Sequence, residues 1–185
     1  MPVKAIHLLI VFMISITSLV AQGGNLFSTR SGIIQFQSDA PYELIKASSR
    51  ELSGILDIQK KTFAFKVNMQ TFQGFNSALQ KEHFNENYLE SNKYESATFS
   101  GKIIEDIDFT ANGTYHVRAK GTLLLHGVSQ ERIIKSDITV RQGRINISAN
   151  FTVLLSDHNI PVPKVVKDKL ASEIQVDVSA QLTPR

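Results

Sequence analysis

Along most of the chain apolar and polar residues alternate with a period of two, the pattern by which a strand sends successive side chains to opposite faces. From Tyr115 to Leu125 the odd positions Tyr115, Val117, Ala119, Gly121, Leu123 and Leu125 are apolar or small, while His116, Arg118, Lys120 and Thr122 face the other way. Residues 145–155 repeat the pattern, with Ile145, Ile147, Ala149, Phe151, Val153 and Leu155 set against Asn146, Ser148, Asn150 and Thr152. Residues 174–182 do so again, with Ile174, Val176, Val178, Ala180 and Leu182 on one side. Further strands are predicted near 32–38, 43–47, 52–58, 62–69 and 97–104, placing Phe36, Phe63, Phe65, Val67 and Phe99 at apolar positions.

Turn chemistry orders these strands. Asn112-Gly113 is the strongest two-residue hairpin signal, because both residue types tolerate positive φ. Gln142-Gly143 and His126-Gly127 are weaker versions of it. Together they predict an up-and-down meander over about 97–155, and local antiparallel connections favour a barrel or sandwich over an α/β fold. Helical periodicity is confined to two short stretches, about 74–83 and about 163–170; in the second, Pro161 and Pro163 end the extended chain.

Eight or so strands with one apolar face can close into a barrel, which removes the exposed edges of a flat sheet. At that size the interior either fills with side chains or holds one small ligand. Small inward positions (Ala119, Gly121, Ala149, Ala180) beside large ones fit both interiors.

The first twenty-one residues change the picture. Lys4 gives a basic start, Leu8 to Val20 an apolar run interrupted by Ser15, Thr17 and Ser18, and Ala21 a small residue before Gln22. This reads as a cleavable secretory signal rather than a membrane span, which needs about 20 largely apolar residues. The expectation is therefore one exported domain over 22–185, periplasmic or secreted, with no integral membrane segment after signal removal. The sequence contains no cysteine, which excludes a disulfide framework, a lipid-anchoring cysteine and a cysteine nucleophile together. The formal charge is +3, and the basic residues are dispersed, which argues against nucleic acid as a partner.

Three stretches are more specific than the alternation. They are Glu82-His83-Phe84-Asn85-Glu86-Asn87-Tyr88-Leu89-Glu90-Ser91, followed by Lys93-Tyr94 and Ala97-Thr98-Phe99; Gly121 to Ser129, with its His126-Gly127-Val128 turn; and Asp157-His158-Asn159-Ile160-Pro161-Val162-Pro163. Their order and spacing resemble the YceI-like family over roughly residues 30–182. The match departs from the commoner pattern at Glu95 and Glu131, where proline often stands, and at Ser31–Phe36, which lacks the usual histidine-bearing opening. The resemblance implies an all-β, eight-stranded, lipocalin-like antiparallel barrel. Its hydrophobic lumen would hold a polyisoprenoid, quinone-like or fatty acyl chain in an exported bacterial protein, with no enzymatic chemistry and no cofactor.

On this reading the lumen and its lid are formed by Phe36, Phe65, Val67, Phe75, Phe84, Tyr88, Phe99, Tyr115, Val117, Leu123, Phe151 and Val178. The histidines His83, His126 and His158 each fall in a turn or loop, where a structural role such as capping turn carbonyls is expected first; as functional residues they are candidate headgroup contacts. They lack metal-ligand spacing, and no metal site is expected. Ser156-Asp157-His158 holds triad residue types, but consecutive residues cannot supply triad geometry, and nothing places two of Glu86, Glu90 and Asp157 at one apolar pocket. Two alternatives stand beside the carrier: a lipid or small-molecule hydrolase using the loop histidines, and a filled barrel serving as an envelope interaction protein. A barrel edge or mouth would also allow a homodimer.

Overall fold

A computed structural model describes residues 24–185; the signal sequence read above lies outside them. Eight strands run in order: β1 (Leu26–Ala40), β2 (Glu43–Asp57), β3 (Thr62–Asn68), β4 (Ser96–Ile103), β5 (Gly113–Leu125), β6 (Val128–Arg141), β7 (Arg144–Leu154) and β8 (Glu173–Pro184). Each pairs antiparallel with its neighbours, and β1 pairs with β8, so the sheet closes on itself as an eight-stranded barrel. One short helix, α1 (Ala78–His83), continues into a π-helical turn at Phe84–Tyr88 and lies in the long β3–β4 connection.

The alternation is realised as read. Val117, Ala119 and Leu123 on β5 are buried, as are Ile145 and Val153 on β7 and Ile174, Val176, Ala180 and Leu182 on β8, while intervening polar residues face solvent. The two strands expected at 43–47 and 52–58 are one. The polar stretch Ser48-Ser49-Arg50-Glu51 that separates them in sequence continues β2, because another part of the chain satisfies it. Ser48 and Gln73 exchange backbone hydrogen bonds of 2.8 and 2.9 Å, and the buried Ser49 hydroxyl lies 2.6 Å from Thr71 Oγ1. Polarity there marks the docking site of the β3–β4 connection rather than a strand end.

The strongest turn signal fails and the two weaker ones hold. Asn112-Gly113 closes no hairpin: residues 104–112 form a loop, and neither residue has positive φ. Asn112 Oδ1 instead accepts a hydrogen bond from the Gln142 backbone amide, at 3.1 Å. His126 (φ 50°) with Gly127 (φ 73°), and Gln142 (φ 51°) with Gly143 (φ 71°), are the two-residue hairpin turns, with positive φ at both positions as a type I′ turn requires. The predicted helix at 163–170 shrinks to a single 3₁₀ turn at Lys164–Val166.

The 104–112 loop closes one end of the barrel. Phe109 is buried there, and Tyr115 places its hydroxyl 3.0 and 3.1 Å from the carbonyls of Asp108 and Ala111. Glu105 accepts from the Arg118 backbone amide (2.6 Å) and from its Nε (2.7 Å), and these hydrogen bonds hold the Glu105 carboxyl below the usual carboxylate range. Above this floor Leu56, Ile138, Ile145 and Leu182 are fully buried in the lower barrel.

Two predictions follow from this packing. Gly101 and Gly121 face each other across β4 and β5, and a Cβ on Gly101 would sit 2.1 Å from the Lys120 carbonyl oxygen and 2.5 Å from Gly121 Cα. Gly101→Ala is expected to cost about 1–3 kcal/mol by overpacking, seen as a lower denaturation midpoint at unchanged m-value. A lowered folded-state pKa at Glu105 means its contribution is complete above the ordinary carboxylate range and lost as pH falls through the lowered value. NMR titration should show that lowered value, and Arg118→Ala should return it towards normal.

Candidate functional site

The upper half of the barrel is not filled. It encloses a cavity of about 460 Å³, whose walls come from the inward positions of β1 to β5, β7 and β8. A second space of about 110 Å³ lies below it, and Ile34, Val67, Ala97, Leu123 and Phe151 border both.

Most of the side chains named from sequence stand around these spaces. Phe36, Val67, Phe75, Phe84, Tyr88, Leu123 and Phe151 line the upper cavity. Phe65, Phe99, Val117 and Val178 line the lower one. Tyr115 does not; it points into the closed end and fastens the 104–112 loop, because its alternation phase was right but its level along the barrel axis was not visible in sequence. Sequence reasoning did not name Met69, Leu155 or Ile160 for the cavity: Met69 and Leu155 continue the alternation one residue beyond β3 and β7, and Ile160 lies in a loop, where periodicity gives no signal. It also passed over Ile34, Val153 and Val176, whose alternation was plain but whose depth was not.

The roof is aromatic. Phe84 stacks on Phe36 at 5.3 Å and 11°, and Phe72 and Phe75 pack tilted against both, with centroids 5.1 to 6.0 Å apart. Offset and tilted ring pairs of this kind add about 0.5–1.5 kcal/mol each beyond their burial. The π-helical turn aims Phe84 and Tyr88 inward, and burial pushes the Tyr88 phenol up from its ordinary pKa. Asn85 fixes the turn by donating to the Lys81 carbonyl (2.9 Å) and accepting from the buried Ser91 hydroxyl (2.9 Å). The polar residues of the mouth are few: Glu43, which accepts from Gln80 Nε2 at 2.8 Å, with Ser77, His83 and Lys169.

The three histidines do not converge. His83 lies at the lip of the cavity, whereas His126 and His158 lie outside its lining. His126 Nδ1 is 3.0 Å from the His158 carbonyl, its Nε2 is 2.7 Å from Glu90, and its ring meets Tyr94 edge-on at 4.6 Å. His158 is fully buried, with Nδ1 3.2 Å from the Val128 carbonyl and no partner at Nε2. Of the two roles considered for them, His126 and His158 take the structural one, a clamp joining the roof segment to the turn after β7, and neither stands where a headgroup in the cavity would reach it. The three specific sequence stretches meet at this corner. Among the described residues no three His, Asp or Glu side chains gather as a metal site.

A family model of the YceI-like domain matches residues 27–182. Solved structures agree in fold. A polyisoprenoid binding domain from Saccharophagus degradans, implicated in plant cell wall breakdown, superposes with a TM-score of 0.73 at 13% identity, covering 87% of this chain and 99% of that one. Burkholderia cenocepacia BcnA gives 0.67 at 12% identity, covering 82% and 96%. A Campylobacter jejuni YceI protein gives 0.59 at 19% identity, covering 74% and 83%. No curated protein matches the sequence.

If His126 is a clamp, His126→Ala should lower stability by about 1–3 kcal/mol, because it strands the buried His158 carbonyl and frees Glu90. Amide hydrogen exchange should accelerate across 84–94 and leave β5 to β7 unchanged.

Proposed function

This chain belongs to the YceI-like domain family, and we propose that it is an exported carrier that holds an isoprenoid or other long apolar chain in the upper cavity. The observation that carries this reading is the division of the barrel: the lower half keeps only about 110 Å³ free, while the upper half keeps about 460 Å³ behind an aromatic roof. Protein interiors rarely leave such space among apolar side chains without an occupant. The Saccharophagus domain of the same fold, described as polyisoprenoid binding, supports the same ligand class. Export rests on the basic, apolar and small-residue order of residues 1–21.

Energetics favour such a ligand without any charged contact. Burying roughly 400 Å² of alkyl surface at about 25 cal/mol per Å² gives on the order of 10 kcal/mol gross. Immobilising the chain removes several kcal/mol of this, leaving micromolar or tighter affinity within reach. Taking a chain carbon as about the size of a water molecule's share of liquid, ~30 Å³, the cavity of about 460 Å³ takes at least roughly 15 carbons. The few polar groups at the mouth, Glu43, Gln80, His83 and Lys169, suit a small uncharged or singly charged headgroup.

The hydrolase alternative has little to stand on in this arrangement, since the histidines it needs are dispersed and two of them are occupied with backbone carbonyls. The envelope interaction protein accounts for the filled floor but not for the cavity above it.

Native mass spectrometry of the exported protein, followed by organic extraction, should reveal a discrete bound mass of several hundred daltons; bare protein from several hosts would end the carrier reading. Ala97 sits where the two spaces meet, paired with Val67. Ala97→Phe should therefore lower retention of a C15 to C20 prenyl alcohol at least about tenfold at unchanged circular dichroism, and affinity in a prenyl alcohol series should flatten beyond roughly that length.

A further inference from the structure

The apolar surface of this barrel does not stop at the cavity. Tyr42, at the tip of the β1–β2 hairpin, is 80% exposed, and Val165, in the 3₁₀ turn before β8, is 89% exposed. The two segments touch, since the Tyr42 backbone amide donates to the Asp168 carbonyl at 2.9 Å. Leu44 and Leu79 are also about half exposed, and Asn76, just before α1, donates to the Leu44 carbonyl at 3.0 Å and so brings α1 to this end of β2. Leu79 and Val166 line the cavity from the same rim. An apolar ridge thus runs from solvent into the mouth.

Charge flanks the ridge. Beside it, Lys164, Lys167 and Lys169 are exposed within six residues, with Asp168 the only acid among them. The roof segment is mixed in charge, carrying Glu82, Glu86 and Glu90 with Lys81 and Lys93, and Glu90 is held by His126. Glu43 turns inward to Gln80, and Asp39 is the acid nearest the ridge on β1. Exposed aromatic and aliphatic tips flanked by lysines are what an anionic lipid surface receives. The tips enter the boundary between headgroups and acyl chains, a tyrosine ring suits that boundary, and the lysine ammonium groups stay at the phosphates.

We propose that the rim formed by Tyr42, Leu44, Leu79 and Val165 with Lys164, Lys167 and Lys169 docks on an anionic bilayer, mouth towards the lipid. The docked orientation places the cavity opening against the acyl layer. This goes beyond the carrier reading and stands on residues other than the buried cavity walls, so either can fail alone.

The test is flotation of the protein with vesicles containing phosphatidylglycerol and with phosphatidylcholine vesicles, at low and high salt. Binding is expected on the anionic vesicles, falling with salt. Lys164→Glu with Lys167→Glu should lower partitioning more than about tenfold. Tyr42→Ser with Val165→Ser should abolish it at unchanged melting temperature and unchanged retention of a prenyl alcohol in solution. No binding to anionic vesicles at low salt, or binding that survives both double substitutions, overturns the proposal. So does a stable dimer by light scattering that Tyr42→Ser with Val165→Ser dissociates, since the rim would then belong to a second copy of the chain.

Discussion

The packed floor of the barrel carries the rest of the molecule. A void the size of the upper cavity, left empty inside a core, would cost on the order of 10 kcal/mol at about 24 cal/mol per Å³, which is comparable with the whole stability of a typical domain. A barrel can keep such a space only if the strands that bound it are fixed elsewhere. Leu56, Ile138, Ile145 and Leu182 do this at 2% exposure or less, with the Phe109 loop closing the end beneath them. Gly101 and Gly121 let β4 and β5 approach closely at this level, where a Cβ on either would collide with the opposite backbone. The lower half fixes strand order and register, and the upper half is released from the need to fill itself.

How much of this could be read from the residues depended on the physical range of each signal. Alternation is a local property, and it placed β5, β7 and β8 correctly because one face of each is buried along its length. Depth along the barrel axis is not local. Tyr115 and Leu123 share a phase on β5, yet one bonds to the bottom loop and the other lines the cavity. The same limit explains β2, where Ser48 and Ser49 looked like a break because their partners, Gln73 and Thr71, come from a distant connection. Turn propensity failed for a related reason. Asn112-Gly113 has the best intrinsic chemistry, but the loop before it is held by Asp108, Tyr115 and Glu105, and tertiary contacts decided the conformation.

The histidines illustrate the difference between a specific sequence and a functional one. The stretches around Glu90, His126 and His158 were the most distinctive in the chain, and their loop histidines admitted both a structural role and a headgroup contact. Their geometry answers a different need. His126 adopts positive φ in a turn, and a Cβ at Gly127 would fall 2.4 Å from the Tyr94 ring, so ring, turn and roof fit only in this combination. Residues of this kind are legible as unusual long before their role is, because the partner that explains each lies more than thirty positions away.

The clamp also makes the roof asymmetric, and that bears on how a chain enters. One edge of the roof is fastened by Glu90 to His126 and through it to the turn at His158, with Tyr94 packed against the ring. The other edge, α1, buries no residue of its own and is tied to β2 by two side-chain hydrogen bonds, Gln80 to Glu43 and Asn76 to the Leu44 carbonyl. Segments with little buried apolar contact open at the lowest free energy. The loosely held edge is the one beside Leu44, Leu79 and the exposed Tyr42, so the side of the mouth that yields most readily is also its apolar side. A hydrocarbon chain crossing there exchanges one apolar surface for another, and the α1 edge can part while the clamped corner and the packed floor keep the barrel closed.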